Sequence, residues 1–112
     1  MPTDERAERA LGLLGLATRA GRVTVGVPLI CAALQQNKNG KKPLLVLEAS
    51  DASAATAKRI SDKCTYYGVR LILLPVDCGR LALAVGKREA AVAAVGISEP
   101  NLAAAIEKLY NI

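Results

Sequence analysis

Leu44-Leu45-Val46-Leu47 is an unbroken apolar run with no polar residue to face water, which is the pattern of a central strand covered on both faces. Such a strand needs helices above and below its sheet. The rest of the chain supplies them, because helical and strand patterns alternate along its length. Glu5 to Ala17 reads as a helix, with Ala7, Ala10, Leu11, Leu14 and Ala17 at helical spacing and Arg19 and Gly21 at the exit. Within it, Gly12 and Gly15 each cost roughly 1 kcal/mol of helix propensity, so they mark a close approach to another element. A short strand, Arg22 to Val25, turns through Gly26 into a second helix, Pro28 to Gln36. Asn37 to Pro43 is a turn-rich loop.

After the apolar strand, Glu48-Ala49-Ser50-Asp51-Ala52-Ser53 reads as an exit turn with capping residues. A third helix carries Ala57, Ile60, Cys64 and Tyr67 along one side and stops at Gly68. Val69 to Leu74 is a strand, Pro75 to Gly79 a loop, Arg80 to Val85 a short helix and Ala91 to Val95 a last strand. Ser98-Glu99-Pro100 opens a terminal helix whose apolar side is Leu102, Ala105, Ile106 and Leu109, with Ser98 as the expected cap. The expectation is one domain over residues 1–112, an α/β chain folded as a three-layer α/β/α sandwich with a mixed sheet of about four strands. In that class function sits in loops at strand ends. The turns at Gly26, Glu48 to Ser53 and Pro75 to Gly79 are expected to gather at one rim.

Composition narrows the chemistry. Histidine is absent, which removes the usual general base and the commonest nitrogen metal ligand. The acidic residues show no paired spacing of a hydrolase or a metal loop, so the chain reads as no enzyme, with neither cofactor nor metal. Cys31, Cys64 and Cys78 are odd in number and far apart, which supports buried apolar roles over a disulfide framework. No GxGxxG or GxxxxGK[ST] pattern appears. No apolar run approaches the ~20 residues of a membrane span, and a charged N-terminus replaces a signal peptide's apolar stretch, so a cytoplasmic protein is expected.

The net charge of +5 is unevenly spread. Between Arg19 and Lys63 lie Arg19, Arg22, Lys38, Lys41, Lys42, Lys58, Arg59 and Lys63 against Glu48, Asp51 and Asp62, whereas the remaining seven basic and seven acidic residues cancel. Such a concentration suits a polyanion. It also suits an ordinary basic surface. The second helix adds a separate signal: with Ile30, Ala33 and Leu34 toward the core, Leu29, Ala32 and Gln36 share another face that is too apolar for water.

The chain resembles a family through Leu13-Leu14-Gly15-Leu16-Ala17-Thr18-Arg19-Ala20-Gly21-Arg22, Gly26, Asp51-Ala52-Ser53, Ile60 to Val69 and Val85-Gly86-Lys87. These pieces are similar, in order and spacing, to the kink-turn RNA-binding proteins of the large ribosomal subunit. That group includes ribosomal proteins L seven Ae and L thirty e and a bacterial YlxQ-like branch. The resemblance runs from about Ala10 to Val95. It implies a three-layer sandwich and a ribonucleoprotein role, binding structured RNA, ribosomal RNA included, at a sharply bent internal loop.

In that family a glycine opens the second helix, polar residues follow, often Asn-Glu or Lys-Gln, and a lysine comes one turn later; these read sheared G·A pairs. The matching positions here are Gly26 and Val27, then Pro28 and Leu29, then Ala32. The glycine is kept and the polar readers are replaced. The resemblance also implies contacts from Ser53 at the third helix and from the loop Pro75, Val76 and Asp77, while Leu81-Ala82 replaces the usual Leu-Gly of the fourth helix. Phosphate contacts fall to Arg19, Arg22, Lys41 and Lys42.

Two other readings follow from the same residues. One is a protein-binding adaptor that uses Leu29, Ala32 and Val76. The other is a stand-alone relative of the substrate-binding domains attached to some RNA-modifying enzymes, which would need a catalytic partner.

Overall fold

A computed structural model describes residues 5–36, 42–88 and 90–110. Nine elements alternate along the described chain: α1 Glu5–Arg19, β1 Val23–Val25, α2 Val27–Gln36, β2 Leu45–Ala49, α3 Ala54–Tyr67, β3 Arg70–Leu74, α4 Cys78–Ala84, β4 Ala94–Ile97 and α5 Pro100–Tyr110. The strands form one mixed sheet in the order β1-β4-β2-β3. β2 runs parallel to β3, and β4 is antiparallel to both β1 and β2.

The two inner strands, β2 and β4, are buried at every position, as the apolar run predicts, and the edge strands are not. Strand alternation sends successive side chains to opposite faces. Leu45, Leu47 and Ala49 enter a core with Leu14, Leu81 and Ile106 from α1, α4 and α5. Val46 enters the other core, with Ile30 and Leu34 of α2 and Ile60 and Cys64 of α3. The layers are therefore two helices, a sheet and three helices. Each fully buried Leu or Ile contributes about 1.5–3 kcal/mol of transfer free energy, offset by the entropy of ordering it.

Several boundaries differ from the sequence expectation, each for a local reason. Glu48 and Ala49 continue β2 instead of leaving it, and Glu48 is 6% exposed inside the sandwich. The last strand begins at Ala94 rather than Ala91 and runs through Gly96 to Ile97. Gly96 sits within the ladder, paired with Thr24 and Val46, and Pro43 leaves it no room for a side chain: a Cβ there would lie 3.0 Å from two Pro43 carbons. The side chain that caps α5 is Glu99, whose Oε2 accepts the Leu102 amide at 2.6 Å. Ser98 is buried and its hydroxyl donates to the Arg22 carbonyl. α4 starts at Cys78, earlier than Arg80, because the Asp77 side chain caps it by accepting the Arg80 amide. Cys78 is accordingly half-buried, whereas Cys31 and Cys64 are buried. No helix among the described residues is long and apolar enough to cross a membrane.

Candidate nucleic-acid interface

Three loops gather on one rim of the sheet, and the hydrogen bonds trace the row from edge to edge. The Gly26 amide, after β1, donates to the Ala94 carbonyl at the start of β4. The Ala49 amide, at the end of β2, donates to Ala93, and the Ser50 amide donates to the Val76 carbonyl after β3. The Ser50 hydroxyl reaches the same carbonyl at 3.1 Å. Gly26, the Ser50–Ser53 turn and the loop from Pro75 to Asp77 thus line a common edge. At ~4.8 Å per strand spacing the row spans roughly 14 Å.

The helix starts on this rim differ in their capping. Ser53 caps α3, accepting the Thr56 amide at 3.2 Å. Asp77 caps α4, and the Asp51 carboxylate adds a second acceptor there by taking the Cys78 amide at 2.8 Å. The Cys78 thiol and amide hold the Asp51 carboxyl below the ordinary carboxylate range. The same hydrogen bond, then burial, pushes the Cys78 thiol up to about 11, which makes it a poor nucleophile. The start of α4 is therefore committed and negatively charged.

The start of α2 is open. Its capping position is Gly26, which has no side chain, and its φ of +95° is one that a Cβ would strain. Pro28 has no N–H, Ile30 donates to the Gly26 carbonyl, and the Val27 and Leu29 amides have no acceptor among the described residues. Two unpaired amides at the positive end of a helix thus offer donors of the kind an anion takes, beside the two capped starts.

The predicted site residues divide between the two ends of the sheet. On the α2 rim, Pro28, Ser53, Pro75 and Asp77 are exposed, Leu29 is 61% exposed, Ala32 is half-buried and Val27 is buried. Val76 is buried in the core beneath α1 and α4, so it does not extend the Leu29–Ala32 patch. That patch continues instead onto β1: Val23, Thr24, Val25, Leu29, Ala32 and Gln36, with Ala33, line a shallow groove of about 420 Å³. Helical spacing alone assigns Ala33 to the core and gives no sign of the β1 residues. Period-two alternation in a three-residue edge strand is too short a signal to show which side is open.

Arg19, Arg22 and Lys42 lie at the opposite end, where β1 and β2 begin and α1 finishes. Arg22 precedes Gly26 by the length of β1, about 13 Å of extended chain. Its guanidinium donates to the Ser98 carbonyl at 3.1 Å, while Ser98 returns its amide to the Arg22 carbonyl, so this arginine fastens β1 to the end of β4. Lys41, with Lys38, falls outside the described residues. The structure therefore separates Arg19, Arg22 and Lys42 from the α2 amides instead of joining them in one cluster.

No family model matches the chain. It is 44% identical over 57 residues to the RNA-binding protein YlxQ of Bacillus subtilis, covering 51% of this chain and 53% of that protein. It is 39% identical over 62 residues to the RNA-binding protein YlxQ of Enterococcus faecium, covering 55% and 56%. The chain thus spans about half the length of the relatives it matches. Among solved structures, a protein of unknown function from Bacillus halodurans superposes with a TM-score of 0.77 at 28% identity, over 89% of this chain and 94% of that one. A Giardia lamblia 15.5 kD RNA-binding protein superposes at 0.74 over 97% and 93%; at 18% identity this likeness shows the fold. The matched sequence halves and the shared sandwich agree: over about half its length the chain is similar to the YlxQ RNA-binding proteins, and its fold is that of the two solved structures.

Proposed function

We propose that this chain is a non-enzymatic protein that binds structured RNA on the α2 rim, in the cytoplasm, with ribosomal RNA as the leading target and with altered kink-turn specificity. The observation that carries this reading is the uncapped start of α2, where the Val27 and Leu29 amides are free on the rim that holds the Ser53 and Pro75 to Asp77 loops. The YlxQ relatives, named as RNA-binding proteins, support the ligand class.

Specificity follows from what stands at the reading positions. A side chain that bonds two atoms of a base edge contributes ~1–3 kcal/mol of discrimination, and Pro28, Leu29 and Ala32 have no polar side-chain atoms. Recognition is left to backbone amides, shape and phosphate charge. Arg19 and Lys42 at the far end engage phosphates of an RNA large enough to lie across the sheet ends.

The test is binding to a kink-turn RNA and an unbent duplex over a salt series. Steep salt dependence with little preference between the two supports the reading. No binding at low salt overturns it.

The exposed Leu29 and its groove along β1 favour a second reading, an adaptor that takes a protein partner on this face. Leu29→Lys separates the two. An adaptor loses its complex or homodimer, whereas an RNA binder gains a cation beside the α2 amides and holds RNA at least as tightly.

A further inference from the structure

The outer side of α3 carries a group of residues that the α2 rim does not use. Arg59, Lys63 and Tyr66 follow one another at helical positions i, i+4 and i+7, so their side chains share one stripe. Tyr66 is 80% exposed, the most open of the large apolar or aromatic side chains described. Its ring meets Tyr67 edge to face, with centroids 4.9 Å apart and planes at 82°. Tyr67 in turn packs against the α2–α3 core. The exposed ring is therefore steadied from beneath.

Charge on this side is arranged for an anion. Lys58 pairs with Asp62 at 2.8 Å, which neutralises the acidic group of the stripe's neighbourhood. Arg59 and Lys63 have no ion-pair partner among the described residues and repel each other one turn apart. Asp62, Lys63, Tyr66 and Tyr67 line a concavity of about 370 Å³ beside the open ring. An open aromatic face flanked by unpaired cations is the composition of a stacking platform for an unpaired base with its phosphates.

We propose that the Arg59–Lys63–Tyr66 face is a second RNA site, which takes a single-stranded segment by stacking one base on Tyr66 and placing phosphates on Arg59 and Lys63. It rests on the reading that the chain binds RNA, but it is a distinct surface. Tyr66 lies thirteen residue steps beyond Ser53, about 20 Å along α3. A structured RNA seated on the α2 rim would reach it through a tail or loop.

The chain has no tryptophan and only three tyrosines, so stacking on Tyr66 is visible directly in tyrosine emission. The full chain is titrated with a single-stranded oligouridylate of about twelve nucleotides and, separately, with a blunt RNA duplex. The oligonucleotide is expected to quench the emission. Tyr66→Leu should abolish that quench and weaken single-strand binding fivefold or more, Tyr66→Phe should hold affinity within twofold, and Lys63→Ala should weaken binding and flatten its salt dependence. Duplex binding should stay within twofold in all three variants. The proposal is overturned if Tyr66→Leu binds the single strand as wild type does, or if wild type binds duplex and not single strand; both results leave RNA binding at the rim intact. Failure of wild type to bind either RNA at low salt overturns both readings together.

Discussion

The amide of Cys78 and the carboxylate of Asp51 join two loops that leave neighbouring parallel strands, with the N–H donating to Oδ1 at 2.8 Å. The contact ties the turn before α3 to the first residue of α4 and fixes half of the rim. Asp51→Ala removes both the acceptor and the charge that suppresses the thiol. Alkylation of Cys78 near pH 8 should then quicken several-fold, since its thiol falls from about 11 toward its ordinary value of 9.0. Peptide mapping after timed alkylation checks this.

The same carboxylate sets a weak acid limit. Its folded pKa lies below the ordinary 3.8, so its stabilising contribution is complete above that value and is lost as pH falls through the lower folded value. Because Asp51 is exposed to solvent, the effect is small. Glu48 works in the opposite sense: burial raises its carboxyl above 4.5. The folded protein holds that proton more tightly, so stability falls as pH rises from 4.5 through the raised value. Glu48→Gln should therefore raise Tm at pH 7 and lose that advantage near pH 4, as paired thermal melts would show.

Leu29 and Leu34 lie on one helix and should respond in opposite ways. Leu34 is fully buried, and Leu34→Ala should cost about 2–5 kcal/mol in a urea melt. Leu29, 61% exposed, should tolerate Lys within about 0.5 kcal/mol. A large loss for Leu29→Lys would mean that the groove along β1 is closed in solution.

Gly96 tests the packing that carries β4 past the end expected from sequence. A Cβ at this position would stand 3.0 Å from the Pro43 ring and 3.7 Å from Ile30 Cγ1. The branched methyls of Gly96→Val reach further into that contact and should cost about 1–3 kcal/mol in a urea melt. Retained stability would show that Pro43 yields.

Layering and the shared rim were legible in the sequence because they rest on long signals. Leu44 to Leu47 carried the pattern of an inner strand, and the turns after β1, β2 and β3 were expected at one sheet end. What sequence could not show was which end each cation occupies. Arg22 and Gly26 are near neighbours in the chain, yet an extended strand separates them and gives Arg22 to the Ser98 carbonyl. Glu48 was hidden for a different reason: a carboxylate inside a strand buried on both faces contradicts its own hydration preference. Only the ladder partners Leu73 and Ala94 place it there.

The sharpest test of RNA binding without base-reading side chains is the affinity of the full chain for a kink-turn RNA and for an unbent duplex of equal length, measured from low to moderate salt. Both RNAs are expected to bind and to weaken steeply as salt rises. The kink-turn should be preferred by no more than about tenfold, roughly the worth of one lost bidentate contact. Absence of binding at the lowest salt, or a kink-turn preference of several powers of ten, would contradict this reading of the α2 rim.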